Sequence, residues 1–258
     1  MKTKSKKPKP IDPKIYDKDY FLKYCCGQYE FAKSHANLLP QRLARCIEVA
    51  AFKKGQKILD IGCGRGEIAY HAAKKGCIVF AIDYSKDAVN ITSKLISKLP
   101  KNLRGKTKVK KMDAKDLHFP KNYFDQIIMT DVIEHLHPWE VEIVTQKCYR
   151  ILKSNGRLII NTSPNVWFSK FSYSIIRLIK TLINLKDPGK FFECYGELHV
   201  FEQSPLSLKN ILKDFKTKIW GENFSQALWF NKIPLLNLFA NSLFAIATKK
   251  NERGRNKI

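Results

Sequence analysis

The sequence predicts an α/β domain in which helices cover both faces of a largely parallel sheet. Two observations carry that expectation. Ile58-Leu59-Asp60-Ile61 is a branched apolar run holding one carboxylate, as in a buried parallel strand, and glycines at 62, 64 and 66 follow it as a tight turn entering a helix. Downstream, strand-length apolar runs alternate with helix-length patterns at the spacing of β-α-β units.

Taken in order, 1–15 is a Lys/Pro-rich stretch expected as a flexible basic tail. Residues 16–37 carry Tyr16, Tyr20, Phe21, Tyr24, Tyr29 and Phe31 at irregular helical spacing, which suits a cap over a pocket or a surface helix on the core. Leu38 to Ala51 sets Leu39, Leu43, Cys46, Ile47 and Ala50 on one helical stripe, with Pro40 near the first turn where proline is tolerated. Strands are expected at Lys57 to Ile61, Cys77 to Ile82, Lys106 to Met112, Phe124 to Thr130 and Arg157 to Thr162. Between them lie helices from Glu67 to Lys75, from the Ser85 cap to Leu99 and from Pro138 to Leu152, with a turn at Ser154-Asn155-Gly156. The segment 164–196 breaks the rhythm as an insertion. Within Trp167 to Lys186, Phe168, Phe171, Ile175, Ile179 and Leu182 share one helical face, opposite Lys170, Ser174, Arg177, Thr181 and Asn184. That pattern suits an interfacial helix on an anionic membrane, a lid over an apolar substrate, or a helix docked on the protein's own core. A helix from Ser204-Pro205 to Phe215, a strand at Thr217 to Trp220 and a last strand at Leu243 to Lys249 complete the domain, and 251–258 is a second basic tail.

With 258 residues and 44% apolar content, the chain is long enough for one well-buried domain. The net charge of +24 favours an acidic neighbour such as nucleic acid or anionic lipid, and a lysine-rich genome would produce the same excess. Seven cysteines (25, 26, 46, 63, 77, 148 and 194) show no C-x-x-C spacing, so reduced thiols of a cytosolic protein are expected rather than a disulfide or zinc framework. The N-terminus lacks the apolar stretch of a secretory signal, and no run of about 18 uncharged apolar residues is present to span a bilayer.

The glycine turn is that of a nucleotide-cofactor loop, but its Gly62-x-Gly64-x-Gly66 spacing departs from the dinucleotide G-x-G-x-x-G. Asp83, ending the second strand in Phe-Ala-Ile-Asp-Tyr-Ser, is placed to take both hydroxyls of a ribose. Asp113, after the third strand in Lys-Met-Asp-Ala, is placed to accept from an adenine amino group. Either acid also serves as a helix cap. In these motifs, together with Phe-Asp-Gln-Ile-Ile-Met-Thr-Asp-Val-Ile-Glu-His-Leu and Leu-Lys-Ser-Asn-Gly-Arg-Leu, the sequence resembles the class I S-adenosylmethionine-dependent methyltransferases over about residues 38–249. The resemblance implies a Rossmann-like, seven-stranded, mostly parallel sheet whose last strand is antiparallel. It also implies S-adenosylmethionine as cofactor, with Gly62, Gly64 and Gly66 against the methionine part, Asp83 on the ribose, Asp113 at the adenine, and Asp60, Cys63, Tyr84, Ala114 and Thr130 beside them.

On the acceptor side, Asp131, Glu134, His135 and His137 follow the fourth strand. Spacing of three to four residues brings Asp131, Glu134 and His135 to one end of a helical turn, an oxygen-rich site with one imidazole that suits a divalent metal or simply shapes the pocket. The pattern is similar to the Glu-x-x-Glu-His of ubiquinone-biosynthesis O-methyltransferases and of small-RNA 3′-end 2′-O-methyltransferases, with the shorter Asp131 in the first place. His199, following the insertion, is expected to return to the cofactor mouth. His135 and His199 are the candidate catalytic bases.

Three functions are carried forward. The first is methyl transfer to a small-molecule or lipid-linked acceptor, at oxygen, in the cytosol or at a membrane surface reached through 167–186. The others are RNA 2′-O-methylation, and a non-catalytic protein that binds the cofactor.

Overall fold

The computed structural model describes residues 7–182, 198–224 and 240–250. Expectations for Lys2, Lys4 and Lys6, Cys194, the second half of the insertion and the C-terminal tail lie outside those residues. So do the side chains of Arg177 and Ile179.

The chain enters through extended residues 7–12 and a short 3-10 turn at Pro13–Ile15, followed by a π-type turn at Tyr20–Tyr24 and helix α1 at Gln28–Ser34. Gly27, at φ +85°, separates the last two. Residues 7–15 are not a free tail. Pro8 O accepts from Trp139 Nε1 at 3.3 Å, and Lys9 O lies 2.9 Å from His137 Nε2.

Helix α2 (Gln41–Ala50) leads into β1 (Lys57–Ile61), then α3 (Glu67–Lys74), β2 (Ile78–Asp83), α4 (Lys86–Ser97), α5 (Lys101–Arg104), β3 (Thr107–Lys111), β4 (Phe124–Thr130), α6 (Pro138–Ile151) and β5 (Leu152–Thr162). Ser85 caps α4 by accepting from the Asp87 and Ala88 amides, and the helix ends before Leu99 because a residue preceding proline is pushed out of the helical region. Strand β5 starts at Leu152 rather than Arg157. Leu152 pairs with Phe124 and Arg157 with Gln126, so the extra residues bulge within the strand, and Asn155 takes φ +60° there. After β5 come a π-type turn at Phe168–Ser172, α7 (Tyr173–Leu182), α8 (Pro205–Ile211), β6 (Lys216–Glu222) and β7 (Ser242–Thr248). Helix α8 stops at Ile211, short of the expected Phe215, which turns inward and is buried.

The strands form one seven-stranded sheet in the order β3-β2-β1-β4-β5-β7-β6. β1 to β5 are parallel, and β7 runs antiparallel to both neighbours. Successive residues of each strand face opposite sides, so Leu59, Ile61, Ile127 and Met129 pack with α6 and α8, whereas Ile58, Val79, Ala81 and Ile128 pack with α2, α3 and α4. Strand order reverses between β1 and β4, which opens a crevice at their carboxyl ends, the usual ligand position in open α/β sheets.

The insertion helix buries only its base among the described side chains. Phe168 is 3% exposed, but Phe171, Ile175, Leu178 and Leu182, at the i, i+4, i+7, i+11 spacing of one stripe, are 53%, 57%, 60% and 73% exposed. No helix of the described residues is long and apolar enough to cross a membrane.

Candidate active site

The crevice holds a cavity whose floor is the loop after β1. Gly62 and Gly66 both need to be glycine, each for a neighbour as well as for its dihedral. At Gly62 (φ +68°) a Cβ would stand 2.5 Å from Val132, and at Gly66 (φ +89°) it would stand 2.7 Å from Thr92 of α4. Gly66 therefore sets helix packing behind the loop and lies outside the cavity wall. Asp60, Gly62, Cys63, Gly64, Asp83, Tyr84, Asp113, Ala114 and Thr130 all line the cavity.

Their surroundings give each acid a different character. Asp83 Oδ2 accepts from the Gly64 amide at 3.0 Å and Oδ1 from the Ser85 amide at 2.9 Å, so the carboxylate braces the glycine loop while facing the cavity. Burial raises its pKa and these amides hold the shift back. Asp113 Oδ1 accepts from the Lys115 amide at 2.8 Å and caps the turn at 114–116, while its Oδ2 lies 2.9 Å from Lys115 Nζ, which also reaches Glu140 at 2.8 Å. Asp60 is only 1% exposed and neither oxygen has a hydrogen-bond partner among the described residues. Burial first, then the charge of Glu67, pushes its carboxyl up to about 8, with the nearby Ala69 amide opposing. A buried carboxyl left without a partner on a cavity wall is built to meet a cation or a strong donor.

The roof comes from the N-terminal segment. Ile11, Tyr16, Tyr20 and Phe21 line the cavity from above. Tyr16 packs edge-on against Tyr20 with ring centroids 5.0 Å apart, and its own centroid is 5.6 Å from those of Tyr84 and His135. Arg65, inside the glycine loop, holds this roof down. Its Nη atoms donate to the carbonyls of Phe21 (3.1 Å), Cys25 (3.2 Å) and Cys26 (2.7 Å), while Nε pairs with Glu67 at 2.8 Å. Arg65 sits in the motif itself, yet nothing local in the sequence announces a clamp on residues some forty positions upstream.

The expected triad of Asp131, Glu134 and His135 does not assemble. Asp131 takes φ +53°, which turns its carboxylate to the Arg42 guanidinium of α2, and Arg42 also donates to Asn161 Oδ1 at 3.3 Å. Ligand atoms of Glu134, His135 and His199 lie within 4.8 Å of one another instead. In that group Glu134 accepts from the Thr162 hydroxyl at 3.0 Å and the Ser163 amide at 3.4 Å. His135 Nδ1 lies 3.0 Å from both Leu198 O and the Tyr16 hydroxyl. Because a carbonyl only accepts, Nδ1 carries the proton and Nε2 keeps its lone pair. Burial lowers the His135 pKa, Glu134 opposing and His199 assisting, so the ring is neutral near pH 7. His199 packs edge-on against His135 at a centroid distance of 4.9 Å, and His135 is the one of the pair that lines the cavity. His199 is thus behind the mouth rather than in it.

Comparison with known proteins identifies the fold and the domain. The family described as "Methyltransferase domain" matches residues 59–160. A phosphoethanolamine N-methyltransferase of Plasmodium falciparum is 27% identical over 202 residues, 74% of this chain and 69% of its own. A ubiquinone biosynthesis O-methyltransferase of Coxiella burnetii is 27% identical over 137 residues, 53% of this chain, and the chain spans only 55% of that protein's length. Among solved structures, phosphoethanolamine N-methyltransferase 2 of Haemonchus contortus, in complex with S-adenosyl-L-methionine, superimposes with a TM-score of 0.62 at 18% identity, covering 93% of this chain and 60% of the other. With the reversed sheet order, the antiparallel β7 and the glycine loop at the switch point, these findings show a methyltransferase domain over residues 59–160, on the Rossmann-like fold of the class I S-adenosylmethionine-dependent methyltransferases.

Proposed function

We propose that the chain methylates a small-molecule or lipid-linked acceptor, at oxygen, with His135 as the base. The observation that carries this reading is a neutral imidazole on the cavity wall whose Nδ1 proton is committed to Leu198 O, which leaves Nε2 to take a proton. Bound S-adenosylmethionine supplies the electrophilic methyl carbon. The chain's residues fit it: Asp60 offers an unpartnered carboxyl for the α-ammonium, Asp83 retains lone pairs for the ribose hydroxyls, and Asp113 on the same cavity wall would accept from the adenine amino group. Tyr16, Tyr20 and Phe21 exclude water from above and bring an acceptor into line, the main demand of a displacement whose leaving group is already activated. Glu134 braces His135 by its charge, and His199 positions the ring through their edge-on contact. Both Glu134 oxygens already accept hydrogen bonds, which favours this cluster as a proton-handling group over a divalent-metal site.

The exposed stripe from Phe171 to Leu182, with Lys170 beside it, supports seating on an anionic membrane of the cytosolic side. Incubation with methyl-labelled cofactor and, separately, quinol precursors, phosphorylated amines, lipid extracts and RNA tests the acceptor class. Label found in RNA alone would overturn the proposal, and label on nitrogen alone would replace oxygen in it.

A further inference from the structure

The edge of the sheet formed by β3 carries cations without acids. No Asp or Glu occurs in residues 88–112, while that span holds eight Lys and Arg, all exposed. None of the eight forms an ion pair among the described residues. They fall into two rows. Lys94 and Lys98 follow the outer face of α4, and Lys101 and Arg104 continue it along α5. Lys106, Lys108 and Lys110 repeat at every second residue, so they share the opposite face of the sheet; Lys108 Nζ sits 5.7 Å over the Phe80 ring, which belongs to the other core layer from Val109. The two rows therefore bracket an edge strand, one layer apart. Lys110 brings the second row to a shallow hollow, also lined by Lys111, that shares Tyr84, Met112 and Asp113 with the cavity described above.

We propose that this ridge is a docking surface for double-helical nucleic acid, held by its phosphate backbones. A duplex presents two phosphate rows along the borders of a groove, and two lysine rows flanking a protruding edge match that arrangement. A bilayer is a plane and engages one row at a time, and none of the large exposed apolar side chains lies in residues 88–112 to enter one. The same span holds no aromatic residue, so it lacks the stacking platforms that grip single strands. At the other edge of the sheet, Lys209, Lys213, Lys216 and Lys218 are interrupted by Asp214 and followed by Glu222, which pairs with Arg45 at 2.8 Å. The acid-free ridge is thus a property of one edge and not of the overall charge. The inference concerns docking and is independent of the acceptor proposed above.

The test is fluorescence anisotropy of the full chain with labelled duplex RNA, duplex DNA and a single strand, alongside sedimentation with vesicles containing phosphatidylglycerol, from 50 to 200 mM salt. Tighter binding of a duplex than of the single strand is expected, and vesicle binding through the 171–182 stripe should not depend on the ridge. Replacing Lys98, Lys101, Lys106 and Lys108 with Gln should weaken duplex binding at least tenfold and flatten the salt slope by about 3.6, at about 0.9 per phosphate contact. Changing Lys98 and Lys101 alone, or Lys106 and Lys108 alone, should each produce part of that loss, and unchanged cofactor binding shows that the variants fold. The matched set Lys209, Lys213, Lys216 and Lys218→Gln should have little effect. An equal loss in the matched set, a loss from one row only, or a fall in vesicle binding from the four ridge substitutions as large as the fall in duplex binding would each overturn the proposal.

Discussion

Asp60 should make cofactor affinity depend on pH. Its carboxyl titrates at about 8, so at pH 7 roughly a tenth of the cofactor-free molecules carry the charge. An α-ammonium placed against it requires the ionised form, and binding must expel the proton from the rest. From pH 6 to pH 7 the ionised fraction climbs about ninefold, while an α-amino group, which titrates near 7.7 to 8.0, stays charged. S-adenosylmethionine affinity should therefore rise by up to about tenfold, and Asp60→Asn should remove the dependence. The same substitution should stabilise the cofactor-free fold. An unfolded Asp ionises near 3.9, so the unfolded chain binds fewer protons than the folded one between about pH 4 and 8, and stability falls as pH rises through that window. At pH 7 the accumulated penalty is about 4 kcal/mol, part of which an amide relieves. Calorimetric titrations at pH 6.0, 6.5 and 7.0, in buffers of different ionisation enthalpy, measure the affinity and the proton released; urea melts measure stability. A flat affinity with no proton release, or an Asp60→Asn protein less stable than its parent, would refute the reasoning.

Other expectations follow from the same geometry. Asp83→Ala should weaken cofactor binding by about 1 to 3 kcal/mol and loosen the loop braced through Gly64, and an unchanged dissociation constant would exclude Asp83 from the ribose. With His135 as the base, kcat at saturating cofactor should fall on the acid side with a midpoint below the ordinary imidazole value of about 6.5, and His135→Asn should lower it by about 10²- to 10⁴-fold. An acid limb above that value would assign the proton transfer elsewhere. Ile175→Asp together with Leu178→Asp should abolish vesicle sedimentation at unchanged melting temperature, whereas a collapse of stability would show that the stripe is covered by the protein itself. Chelation by EDTA should leave turnover intact, and a loss restored by a divalent cation would return Glu134, His135 and His199 to metal ligation.

What was legible in the sequence follows the range of the forces involved. β1 and β4 fall at their expected bounds, Lys57–Ile61 and Phe124–Thr130, because a strand buried on both faces must be an unbroken apolar run. β3 is fainter, Thr-Lys-Val-Lys-Lys, since an edge strand buries little. Asp60, Asp83 and Asp113 were readable from their places at or near strand ends, where the sheet topology directs side chains to the crevice. The Asp131 grouping misled because spacing assumes a regular turn, and a residue at φ +53° leaves it. Tyr16 beside His135, 119 residues apart, and Arg65 beneath Cys26 are products of tertiary folding that no local pattern encodes.

Arg65 also decides how the roof can open. Arg65 is 4% exposed, and its guanidinium spends its donors on three successive stations of the N-terminal segment and on Glu67. Freeing one carbonyl alone would leave a charged N–H buried without an acceptor, so partial release costs nearly as much as full release while recovering none of its entropy. Residues 20–26 are therefore expected to lift as a block or stay down, and the glycine loop on the cavity floor and the segment that roofs it form a single cooperative unit.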